Sequence, residues 1–183
     1  MTPLSYQLSQ DGAAWVLTST GADSQESIRW LASSGTVDWQ VTDRADGSDL
    51  HGQRWGDVIR VTGTLKGHPV DRQVKVDPAP WYQLFGPLLD QLLPAGEAQR
   101  EFWVVDPADL SPHKMQVRRA GTERLTLHGA AVEAAKVHFS PAGALAPFWG
   151  ADFWYRLSDG LYVSSRLPEH GGVTVTTIED PTP

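Results

Sequence analysis

Six histidines, at positions 51, 68, 113, 128, 138 and 170, are the residues best suited to acid–base or metal chemistry, and their spacing points to neither. No pair stands four apart, the pattern that turns two imidazoles toward one zinc ion. His128, Glu133 and His138 lie close enough in sequence for a hairpin to bring two of them together. A metal needs three or four converging ligands, so solvent-facing strand positions account for them better. Cysteine is absent, which removes thiolate ligands, disulfides and thiol nucleophiles together. No Gly-x-Ser-x-Gly elbow occurs, and Ser158-Asp159-Gly160 reads as turn chemistry. The glycines of 143–150 lack the strand-loop-helix setting of a nucleotide loop. No cofactor or metal is implied.

Two cationic groups remain. Lys114, Arg118, Arg119 and Arg124 fall on one expected hairpin. They make either an anion site or a solvated face, with Arg119 paired to Glu123 across the turn; surface pairs of that kind are common and worth little. Arg156 and Arg166 sit among aromatics. With Asp159-Gly160 as the turn, Phe153, Tyr155, Leu157, Tyr162 and Arg166 share one face of the 152–166 hairpin, and Trp154, Arg156, Leu161 and Val163 share the other. Both faces are partly apolar, so which one is buried stays open.

The elements that position these residues are mostly strands. Asp11-Gly12, Ser34-Gly35, Lys66-Gly67 and Asp159-Gly160 each separate two runs of strand-forming residues, as tight hairpin turns do. Ile28, Trp30 and Ala32 alternate with polar neighbours, as do Val37, Trp39 and Val41, which is the mark of a half-buried antiparallel sheet. Residues 43–56 are polar and glycine-rich and read as a loop. Residues 113–119 and 123–128 read as a hairpin about Ala120-Gly121-Thr122, with Met115 opposite Leu127 and Val117 opposite Leu125.

One segment breaks the pattern. Residues 80–93 are apolar at 81, 84, 85, 88, 89, 92 and 93, which is helical spacing, with a kink expected at Gly86-Pro87. A helix so poor in polar residues must be covered by the sheet. The expected fold is therefore a single domain over 1–183: mainly β, a curved antiparallel sheet (a half barrel) wrapped around one central helix.

The helix PWYQLFGPLLDQLL, the strand EFWVVDP, the hairpin MQVRRAGTERLTL, the segment VEAAKVHFSPAG and the closing FWYRLSDGLYVSSRLP carry a resemblance. Residues about 80–179 resemble an uncharacterised bacterial family with a lipoprotein-carrier-like half β-barrel. The resemblance implies a cavity between sheet and helix able to hold an acyl chain or another apolar molecule.

Composition narrows the partners. A net charge of −7 argues against sequence-independent nucleic-acid binding and against an anionic membrane surface. No apolar run is long enough to span a bilayer, and the start has no signal-peptide pattern. A cytoplasmic protein is expected, or a periplasmic one if a signal has been removed. Eight tryptophans suit strand packing, or the lining of an aromatic pocket. The expected function is a non-enzymatic binding or scaffolding domain. Trp81, Phe85, Trp103, Trp154, Arg156 and Arg166 would line an apolar cleft, with an arginine at its mouth for a carboxylate. The alternatives are a hydrolase or isomerase with a site at the open end of the sheet, and a subunit that associates with a protein partner or with itself.

Overall fold

Tight glycine turns organise the first half of the chain into a meander. A computed structural model describes residues 5–31, 34–83, 86, 89–93, 96–127, 129–169 and 172–177. The chain divides into two compact units, Met1–Gln83 with Phe102–His113, and Leu84–Glu101 with Lys114–Pro183. In the first unit, β1 (Ser5–Asp11), β2 (Ala14–Thr20), β3 (Ser24–Leu31), β4 (Gly35–Asp43), β5 (Ser48–Trp55), β6 (Val58–Leu65) and β7 (His68–Lys75) follow one another in a seven-stranded sheet. Every neighbour is antiparallel. The expected hairpins at Asp11-Gly12 and Lys66-Gly67 are present. At the second, Lys66 and Gly67 both take positive φ, 50° and 78°, which matches the twist of the strands they join.

The expected loop over 43–56 is instead largely β5. Gly52 explains both its polar appearance and its place in the sheet. A Cβ there would stand 2.7 Å from Cε3 of Trp39 and 3.2 Å from Cη2 of Trp81. Glycine is thus what lets two fully buried indoles meet edge to face over β5, their centroids 6.4 Å apart.

The expected helix over 80–93 does not form, and no α-helix occurs among the described residues. Pro78 and Pro80 lack N–H donors and favour extended backbone before them. Trp81 is extended and bridges Gly35 on one side and Trp103 on the other. Gly86 has φ 62°, outside the right-handed helical region. Only a short 3-10 helix, Leu89–Leu92, remains. The apolar residues are buried nonetheless: Trp81 and Tyr82 in the first unit, Leu89, Leu92 and Leu93 in the second. Leu84, Phe85 and Leu88 lie outside the described residues.

Gln83 closes the first unit's core and is 1% exposed. Its Oε1 accepts from Trp81 Nε1 at 2.8 Å and from the Val105 amide at 3.0 Å. Its Nε2 donates to the Val105 carbonyl at 2.5 Å, and its own backbone N–H donates to Thr36 Oγ1 at 2.9 Å. A side-chain amide thus mimics a strand neighbour for Val105.

The remaining strands are β8 (Gln99–Val105), β9 (Pro112–Leu127), β10 (Ala130–Pro141), β11 (Ala151–Arg156), β12 (Tyr162–Glu169) and β13 (Gly172–Thr177). They form a six-stranded sheet in the order β13-β12-β11-β10-β9-β8, of which the strands from Lys114 onward lie in the second unit and Phe102–Val105 of β8 in the first. The expected hairpin at Ala120-Gly121-Thr122 is absent. Residues 112–127 run as one long strand paired with β10, and the extra residue is taken up as an irregularity beside Lys136/Val137. Met115 faces Pro141 and Val117 faces Phe139, not Leu127 and Leu125.

Both faces of the 152–166 hairpin are packed. On one, Phe153 approaches Phe139 and Tyr162 at 6.3 and 6.4 Å, and Tyr155 lies 6.0 Å from Tyr162. The Tyr155 hydroxyl on that face donates to the Gly86 carbonyl. On the other, Ala134, Trp154 and Val163 make a small core under Leu125 and Leu127. A register shift at Trp154/Tyr155 pairs Tyr155 with Tyr162 and Asp152 with Arg166. Arg166 therefore stands on the Trp154 side, not with Phe153 and Tyr155 as a regular register would place it.

Candidate functional site

The second unit's sheet carries a polar row across four strands. Arg118 on β9 pairs with His138 on β10, His138 with Asp152 on β11, and Asp152 with Arg166 on β12. Residues directly opposite across strands share a face, so the row is a product of register. His138 Nδ1 lies 2.7 Å from Asp152 Oδ1, which fixes the ring and leaves Nε2 as its available nitrogen. Lys136 Nζ lies 3.0 Å from Asp152 Oδ2 and 3.1 Å from Glu123 Oε1. The network ends at Trp154, whose Nε1 donates to Glu123 Oε2 at 2.9 Å while Lys136 sits 5.1 Å over its ring. Partial burial works to raise the Asp152 pKa, but hydrogen bonds from His138 and Lys136 outweigh it and hold the carboxyl below its ordinary value.

Beside this row lies a groove of about 580 Å³. Its floor includes Gln116, Arg118, His138 and Ser140, and Phe148 and Trp149 wall it. The wall follows the 3-10 helix Gly143–Phe148, which leaves Phe148 83% exposed and Trp149 37% exposed. Trp149 is held edge-on to Phe139 at 5.6 Å. Gly150 admits the imidazole: a Cβ there would stand 2.8 Å from His138 Nε2. Gln116 Nε2 donates to Ser140 Oγ at 3.1 Å, so that hydroxyl is already engaged.

The expected basic hairpin is dispersed. Lys114 pairs with Glu101 at 3.1 Å, Arg124 with Glu133 at 3.5 Å, and Arg119 donates to the carbonyls of Leu93 and Glu97. Glu123, expected to face Arg119, serves Lys136 and Trp154 instead. Arg118 makes no ion pair or hydrogen bond among the described residues, and it is exposed.

The residues expected to line a cleft fall into separate settings. Trp81 is buried and satisfied by Gln83, and Trp103 donates to Asp77 Oδ1 at 2.8 Å; both belong to the first unit. Trp154 and Arg156 belong to the second, where Arg156 pairs with Asp159 at 2.8 Å. Arg166 is exposed at the end of the polar row. Phe85 lies outside the described residues, as does His128 of the His128–Glu133–His138 set. Reading the sequence alone singled out His138 and Arg118 but missed Gln116, Ser140, Phe148, Trp149 and the Asp152 partner.

The first unit has its own histidine–carboxylate pair. His51 Nε2 lies 2.7 Å from Asp38 Oδ2, with Gln53 and Gln40 donating to the same carboxylate at 3.0 and 3.2 Å. Burial raises the Asp38 pKa, and these partners more than reverse it. Among the described residues, no group of three or more His, Cys, Asp or Glu could hold a metal ion. No helix among them is long and apolar enough to cross a membrane.

No family model matches the chain, and no curated protein matches it. Among solved structures it is similar to a beta-barrel-like protein of the domain of unknown function DUF1849 from Brucella abortus. The identity is 10% and the TM-score 0.59, over 98% of this chain and 89% of that one. At that identity the likeness shows the fold alone, an antiparallel β architecture akin to that of the beta-barrel-like neighbour. The likeness gives no support to a lipoprotein-carrier fold, and the central helix expected over 80–93 does not form: among the described residues of that segment Trp81 is extended and Leu89–Leu92 is a short 3-10 helix.

Proposed function

We propose that this chain is a binding domain whose site is the groove between β9, β10 and the Gly143–Phe148 turn. One observation carries the reading. In a chain of net charge −7, the groove is lined by Arg118, His138 and two exposed aromatics, with no carboxylate among its described lining residues. Its volume lies within the few hundred to about 1,000 Å³ typical of small-molecule sites. An apolar body would replace water against Phe148 and Trp149, and the polar floor would set its orientation. This keeps the expectation of an apolar ligand but moves it from a sheet–helix cleft to the sheet's other face.

The rival reading is a hydrolase, and the His138–Asp152 pair is what favours it. A carboxylate on Nδ1 is how a general base is oriented. A nucleophile must then reach Nε2. No hydroxyl among the described residues hydrogen-bonds to His138, and Ser140 accepts from Gln116. The groove supports binding better than bond cleavage. The test is a small-molecule screen read by the Trp149 indole resonance in a ¹⁵N spectrum, with Trp149→Leu to assign it. Saturable shifts confined to that indole and its neighbours would support the reading. Ligands that shift Trp81 or Trp39 and leave Trp149 untouched would place the site elsewhere.

A further inference from the structure

We infer that the groove selects a small aromatic carboxylate. The inference rests on the binding reading and names the ligand's chemistry. Arg118 is the first support. Other cations of the sheet are engaged by this chain's own groups, Lys114 by Glu101, Arg124 by Glu133, Lys136 by Asp152 and Glu123, and Arg156 by Asp159, while Arg166, exposed at the far end of the row, is not among the groove's described lining residues. Arg118 alone of the groove's floor is a cation with no ion pair among the described residues. A guanidinium presents a planar fork that matches a carboxylate with two parallel hydrogen bonds.

His138 is the second. It stands directly across from Arg118, and its Nδ1 is tied to Asp152 at 2.7 Å. With the Nδ1 proton donated to Asp152, Nε2 of the neutral ring is an acceptor, suited to a hydroxyl or N–H substituent beside the carboxylate that Arg118 holds. Asp152 does not repel an anion here, because Lys136 at 3.0 Å and His138 share its charge. The third support is the wall. Trp149 is fixed edge-on to Phe139 and still partly exposed, so it offers a surface to a ring without first having to be ordered. Phe148 adds a second exposed ring. One cation on the floor and aromatic surface above it fit a flat body that ends in a single carboxylate.

The experiment uses naphthalene-2-carboxylate and its neutral twin, naphthalene-2-carboxamide. Each is titrated into the full chain and followed by the Trp149 indole resonance and by calorimetry. The carboxylate is expected to bind saturably and the carboxamide roughly tenfold or more weaker, as loss of a charge-assisted hydrogen bond implies. Arg118→Gln should remove that difference, and Arg118→Lys should restore only part of it. Arg124→Gln, a surface cation away from the groove, should change nothing. Carboxylate affinity of the unaltered chain should also fall with added salt, while carboxamide affinity stays level; this arm needs no variant. If both probes bind equally and both are lost in Trp149→Leu, the carboxylate inference is wrong and the binding reading stands. If neither probe moves the Trp149 resonance, both are wrong.

Discussion

Replacing Gln83 by methionine tests how the first unit is held together. Methionine keeps the length and most of the volume of glutamine, so the substitution opens little cavity. What it removes is a set of three hydrogen bonds. Trp81 Nε1 and the Val105 N–H lose their acceptor, and the Val105 carbonyl loses its donor. Trp81 and Val105 are both 0% exposed, so water cannot replace the missing partner. Each buried, unsatisfied group costs about 1–3 kcal/mol, and because partners relax together the sum falls short of three full penalties; roughly 3–5 kcal/mol is expected. That is a large share of the about 5–15 kcal/mol that holds a typical domain folded. Thr36→Val orphans only the Gln83 backbone N–H and should cost about 1–3 kcal/mol. The assay is urea unfolding followed by tryptophan fluorescence, with amide exchange of Val105 as the local readout. A loss under about 1 kcal/mol for Gln83→Met, or a Val105 amide that stays protected, would refute the argument that this amide serves as a strand partner.

Gly52→Ala should destabilise by about 1–3 kcal/mol through overpacking against Trp39 and Trp81, measurable in the same melts. Asp152, with its pKa held low by His138 and Lys136 against partial burial, contributes stability that is present above the ordinary carboxylate pKa and is lost as pH falls through the folded value; Asp152→Asn should flatten the acid limb of a stability–pH curve. Glu26 is the opposite case: burial raises its pKa despite the hydrogen bond from Trp39 Nε1, so stability declines as pH rises from the ordinary value through the folded one. Glu26→Gln, which keeps an acceptor for Trp39, should remove that decline, and an unchanged pH profile would show that the carboxyl is well hydrated. Tyr155→Phe should cost about 0.5–1.5 kcal/mol, the usual net worth of the hydrogen bond to Gly86 that it deletes.

Sequence patterns anticipate local hairpins well and everything that depends on distant register poorly. The Asp11-Gly12 and Lys66-Gly67 turns declare themselves because the backbone they require is local. β5 hides because its apolar positions are few, and Gly52 looks like loop composition until Trp39 and Trp81 are placed over it. The 80–93 segment misleads for a definite reason. Helical spacing requires only that apolar residues recur every three or four positions, and two short clusters that enter two different cores satisfy the same rule. Gly86 at positive φ and the extended Trp81 separate the clusters, and Gly86-Pro87 reads as a kink only while one helix is assumed. Residues 112–127 mislead in the opposite sense. Ala120-Gly121 resembles a turn, yet the chain runs straight through and pairs with β10.

The groove depends on that last correction. If residues 113–128 were a closed hairpin, Arg118 would stand near Arg124 and both would belong to a solvated outer face. In the long strand Arg118 faces His138, and His138 faces Asp152, so three residues from separate segments become one row. Each was visible in the sequence as an ordinary charged strand residue. What gives them a shared role is the register of β9 against β10, set by which residue is left over beside Lys136/Val137. A one-residue slip of Pro112–Arg119 against β10 would turn Arg118 to the opposite face and leave His138 without its neighbour, whereas removing Ala120, the residue without a partner, would leave Arg118 opposite His138. The groove's chemistry is thus a property of the register of one strand pair.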